Sequence, residues 1–127
     1  MEHIPILKVD NFLLVTIQVE LHDELAIGLQ DDLTQKLIKT GSHGVLIDIS
    51  PLEIVDTYIC RMLSQISAIV GIMDATMVLV GMRPAVAMTL VELGMTMPGV
   101  RTALNVDKGL ALLRRSLDET GRPHAAP

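Results

Sequence analysis

Two segments, Gly44-Val-Leu-Ile-Asp-Ile49 and Thr76-Met-Val-Leu-Val-Gly-Met82, are apolar almost throughout and show no alternation. A strand wet on one face alternates apolar and polar residues, so a continuous β-branched run marks a strand covered on both faces. Between the two runs the period changes. Ile59, Met62, Leu63, Ile66, Ile69 and Val70 recur at helical spacing, opposite Cys60, Arg61, Ser64, Gln65 and Ser67. Strand, helix, strand, helix from Gly44 to Gly94 calls for parallel pairing through right-handed crossovers. The chain is therefore expected to build a central sheet covered by helices.

The flanking elements follow from the same rules. Ile4 to Val9 and Phe12 to Val19 are apolar runs separated by Asp10-Asn11, a two-residue turn signal that predicts an opening hairpin. From Asp23, Leu25, Leu29, Leu33 and Leu37 recur every four residues and predict a helix ending near Thr40-Gly41. Asp23 and Glu24 in its first turn and Lys36 and Lys39 in its last suit the helix macrodipole. A second helix starts near Asp56-Thr57. Arg83-Pro84 opens a third, with Gly94 as its C-terminal cap and Val86, Leu90 and Leu93, flanked by Ala87 and Val91, as its packed face. Val100 to Leu104 predicts a last strand. Asn105 or Asp107 caps a fourth helix striped by Val106, Leu110, Leu113 and Leu117. The expected architecture is a single α/β domain over residues 3–117, with a mixed, mainly parallel sheet of about five strands and about four helices. Residues 118–127 have no apolar period and are expected to form a flexible tail.

Composition narrows the function. The 127 residues are 50% hydrophobic and 20% charged, with a mean hydropathy of +0.47, which excludes disorder for the body of the chain. Ile66 to Met82 is broken by Asp74 and Gly71 and does not make a membrane span. The opening Met-Glu-His-Ile-Pro has no basic n-region, so no secretory signal is expected. A net charge of −5, with one Phe, one Tyr and no Trp, argues against nucleic acid as a partner. The single cysteine, Cys60, permits no intrachain disulfide and suits the cytoplasm. Eight methionines and the high aliphatic content point to apolar surface buried against other subunits.

The residues hold no catalytic constellation. His3, His22, His43 and His124 have no metal-ligand spacing, none is near Cys60 in sequence, and neither common phosphate-binding glycine motif occurs. Neither cofactor nor metal is expected, and Cys60 is expected to pack between helices. The unusual segment is Asp48 to Arg61, running from the end of a central strand into a helix. At its helix entrance either the Asp56 carboxylate or the Thr57 hydroxyl caps the first turn, or Thr57 is a hydroxyl offered to a kinase. A phosphate there would meet free N–H groups, so it would alter docking at the surface and leave the helix folded. Thr89, expected on the solvent side of the third helix with Glu92, is the second candidate hydroxyl. Arg83 is either a solvated residue or a cation that steers a partner.

Gly44-Val-Leu-Ile-Asp-Ile-Ser50, Ile54-Val-Asp-Thr57 and Gly81-Met-Arg-Pro-Ala-Val-Ala-Met-Thr-Leu-Val-Glu-Leu-Gly94 together resemble the STAS domain family, and within it the small stressosome scaffolds of the RsbS type. The resemblance implies a non-enzymatic cytoplasmic scaffold that sequesters an RsbT-like serine/threonine switch kinase and releases it when phosphorylated. It implies Thr57 as the main phosphorylation site, at the place where RsbS-type proteins usually carry serine and RsbR-type paralogues threonine. Thr89 corresponds to a second site of the RsbR type. Ser50, Glu53, Asp56, Tyr58, Arg61 and Arg83 are the implied docking residues. The implied partners are RsbR-like paralogues, the kinase, an RsbX-like phosphatase and further copies in a large assembly, with no nucleic acid and no membrane. A stand-alone anti-anti-sigma factor, binding an anti-sigma kinase in a small complex, is the alternative within the same fold.

Overall fold

A computed structural model describes residues 3–18, 22–92 and 100–120. Strands β1 (Ile6–Val9) and β2 (Phe12–Thr16) form the expected hairpin. Val9 faces Phe12 in register, so Asp10-Asn11 is the whole turn, and Asp10 sits at φ +54, a left-handed conformation that Asp tolerates. Arg114 pairs with Asp10 and ties this turn to the last helix. Helix α1 (Asp23–Thr40), β3 (Gly44–Asp48), α2 (Thr57–Ile72), β4 (Thr76–Val80), α3 (Pro84–Glu92), β5 (Arg101–Ala103) and α4 (Val106–Thr120) complete the order.

The strands lie in the order β1-β2-β3-β4-β5, antiparallel at the first pair and parallel at the other three. Each parallel connection crosses over through a helix, as the sequence pattern requires. Although β3 and β4 are apolar but for Asp48 and Thr76, their side chains divide by the pleat. Val45, Ile47, Met77 and Leu79 pack with α1, α2 and α3, while Leu46, Val78 and Val80 pack with Phe12 and α4. Gly109 lets α4 lie close to the sheet, since a β-carbon there would sit 2.6 Å from Leu46 and 2.7 Å from Val80.

Helix boundaries follow local chemistry. Leu25, Leu29, Leu33 and Leu37 are all buried, and Gly41 at φ +65 closes α1 with its N–H on the Leu37 carbonyl. Asn105 accepts from the Lys108 N–H at 2.9 Å and caps α4. Two expectations need correction. Helix α4 runs through Thr120, because buried Leu117 anchors its last turn and no Gly or Pro interrupts residues 118–120; 121–127 lie outside the described residues. On α3 only Val86 and Leu90 are buried, whereas Val91 is 80% exposed. Val91 lies about 100° around the helix from Leu90, off the stripe that faces the sheet. Leu93 and the Gly94 cap lie outside the described residues.

Candidate functional site

The C-terminal ends of parallel strands are where an α/β sheet presents its loops for function. Here β3 ends at half-buried Asp48, whose Oδ1 accepts the Ser50 N–H at 2.9 Å and turns the chain sharply. Opposite it, Gly81 follows β4 at φ +75, and a β-carbon there would lie 2.8 Å from Asp48 Oδ1 and 2.9 Å from Ser50 Cβ. Only glycine fits that close approach without strain. Arg83 then reaches back across the gap. Its Nε donates to the Ser50 carbonyl oxygen at 3.0 Å and its guanidinium lies 3.7 Å from the Glu53 carboxylate.

Buried Leu52 and Val55 hold the β3–α2 loop against the core, leaving Ile54 82% exposed between them. The loop delivers Asp56 as the N-cap of α2, its Oδ1 accepting the Ile59 N–H at 2.9 Å. The cap is thus the aspartate and not the threonine. Thr57 is the first residue of α2, exposed, and its hydroxyl bonds to no described residue.

The next turn of α2 alternates between core and surface. Tyr58 is half-buried; burial, a hydrogen bond donated to Asp23 of α1, and the charges of Asp23 and Asp56 push its phenol above the usual range. Cys60 is fully buried, and burial together with the Asp56 charge raises its thiol. That makes it a packing residue, as expected, and a poor nucleophile. Arg61 is exposed on the rim of a groove between α1 and α2, alongside Asp23 and Tyr58.

Of the residues singled out in the sequence, Ser50, Glu53 and Arg83 form one bonded cluster, and Asp56, Thr57, Tyr58 and Arg61 continue from it along the start of α2. Thr89 is separate. It is half-buried on α3 and its hydroxyl donates to the Ala85 carbonyl at 2.9 Å, so the helix backbone occupies it. The Asp23–Tyr58 contact and the glycine fit at position 81 were not legible in the sequence; a glycine directly after a strand and before Arg-Pro was the one available signal for the second. Among the described residues no three His, Cys, Asp or Glu side chains are placed to hold a metal, and no helix is long and apolar enough to cross a membrane.

Comparison with known proteins agrees with this architecture. A glutamate-for-serine variant of RsbS from Moorella thermoacetica is 39% identical and superposes with a TM-score of 0.78, covering 91% of this chain and 97% of that one. A chain from a structure of the stressosome, described there as a signal integration and transduction hub, is 41% identical with a TM-score of 0.78 over 88% and 97%. The RsbT co-antagonist protein RsbRA of Bacillus subtilis is 31% identical over 101 residues, 80% of this chain but 37% of that relative's length. The STAS domain model matches residues 3–108, which hold all five strands and helices α1 to α3, and the chain belongs to the STAS domain family.

Proposed function

We propose that this protein is a stress-signalling scaffold of the stressosome type, which holds a serine/threonine switch kinase and releases it when Thr57 is phosphorylated. The observation that carries the reading is the state of Thr57. Its hydroxyl is exposed and unbonded among the described residues because Asp56 has taken the capping role. In the transfer, the γ-phosphoryl group of ATP moves to Thr57 Oγ1, the hydroxyl proton goes to a base of the kinase, and ADP leaves. The product adds up to two negative charges beside Asp56 and Glu53, on a surface already acidic, and repels the docked partner. The likeness to RsbS and to a stressosome chain supports assembly with RsbR-like paralogues, and a phosphatase resets the site. Docking falls on Ser50, Glu53, Asp56, Tyr58, Arg61 and Arg83. Thr89 is a secondary site of modification that needs its hydroxyl freed from the Ala85 carbonyl.

The test is to incubate the purified protein with its switch kinase and ATP and to map phosphate by mass spectrometry in the parent and in Thr57→Ala. Phosphate on Thr57 with weakened kinase binding is the expected result. Labelling of Thr89 alone, or of nothing, overturns Thr57 as the switch.

A further inference from the structure

The cations near Thr57 are not equivalent. Arg83 is committed to the Ser50 carbonyl and to Glu53. Arg61, exposed on α2, makes no ion pair with any described residue. Residues four apart on a helix stand about 5–6 Å apart at their β-carbons and share a face. Thr57 and Arg61 have that spacing inside one unbroken helix, with Arg61 rotated about 40° towards the α1–α2 groove. The other groups around this turn, Asp23 of α1 and Glu53, Asp56 and Tyr58, carry negative charge or none.

We propose that Arg61 is the counter-ion recruited by phosphate on Thr57, so that modification adds negative charge and also withdraws an exposed cation from the docking face. The inference rests on the reading of Thr57 as the modified residue. Before modification Arg61 is free to meet an acidic group of the partner. Afterwards a dianion one helical turn away competes for the same guanidinium, which can hold two phosphate oxygens at once. The phosphate thereby disables the dock at two points with no change in backbone.

The experiment places phosphothreonine at position 57 of the full chain by genetic encoding, so that no kinase is needed, and follows the second ionisation of the phosphate by phosphorus NMR at low salt. The parent is expected to titrate about half a pH unit below Arg61→Gln. Arg61→Lys restores part of the difference, and about 1 M salt closes it. Arg83→Gln leaves the titration where the parent has it. Equal midpoints in the parent and Arg61→Gln, or a shift caused by Arg83→Gln in place of Arg61→Gln, overturn the proposal. A kinase that leaves Thr57 unmodified defeats Thr57 as the switch, yet the encoded phosphate still reports on Arg61, so the two failures are distinct.

Discussion

Arg83 donates from Nε to the carbonyl oxygen of Ser50 across 3.0 Å, and this bond joins the loop that opens α3 to the loop that leads into Thr57. The two loops are far apart in sequence and adjacent in space because β3 and β4 pair in parallel, with Asp48 beside Val80. The face proposed for docking is therefore a braced surface, with Arg83 as a brace between its two loops.

Arg83→Gln removes the bond and the nearby Glu53 charge partner. The site is half-exposed, so the ion pair contributes little and the hydrogen bond about 1 kcal/mol. Urea unfolding should show a loss of about that size, with a larger relative loss in kinase affinity. Unchanged affinity would mean that the brace does not shape the dock.

Two glycines should respond oppositely to alanine. Gly81→Ala puts a β-carbon against Asp48 and Ser50 at positive φ and should destabilise by more than about 1 kcal/mol. Gly28 lies inside α1 with nothing within 4 Å of a β-carbon, and Gly28→Ala should stabilise by up to about 1 kcal/mol. Thermal melts of both variants check the pair, and a loss at Gly28 as large as that at Gly81 would contradict it.

Asp56→Ala removes the N-cap of α2 and should cost about 1 kcal/mol, whereas Asp56→Asn keeps an acceptor and should lie within a few tenths of the parent. Denaturant midpoints separate the cases. Equal losses would show that the charge, and not the cap, is what matters.

Cys60 and Tyr58 make the fold sensitive to alkali. Both groups ionise at higher pH in the folded chain than in the unfolded one, chiefly through burial. Their contribution is complete below the ordinary thiol value of 9.0 and falls as the pH rises past it, because the unfolded chain gives up protons that the folded chain retains. Unfolding free energy measured from neutral pH upward should decline above pH 9.0, less steeply in Cys60→Ala. The same slope in both proteins would remove Cys60 from the account.

Thr57→Glu carries negative charge to the first residue of α2, where the helix macrodipole favours it. Far-UV circular dichroism should match the parent while kinase binding weakens. A large loss of helix would replace control at the surface with control by unfolding.

Much of this was legible in the sequence, for identifiable reasons. Leu25, Leu29, Leu33 and Leu37, and likewise Leu110, Leu113 and Leu117, stand against polar neighbours, so the buried stripe of each helix can be read directly. The α3 segment is apolar apart from Thr89 and Glu92, too few polar residues to outline its outer face, which is why Val91 falls on the wrong side of the expectation. At the site, the spacing of Asp56 and Ile59 allows a cap but leaves Thr57 an equal candidate. The choice depends on loop backbone placed by buried Leu52 and Val55.

The sequence by itself determined the order of strands and helices, the parallel crossovers and the capped entrance of α2, because each depends on residues close together in the chain. Only the tertiary structure decided that Arg83 meets Ser50, that Asp23 meets Tyr58, that Gly81 must be glycine, and that Arg61 is left free among the described residues. Those contacts join elements separated by whole helices. Their partners come together only when the sheet has paired and the helices have packed on it, and no local period or propensity encodes that meeting.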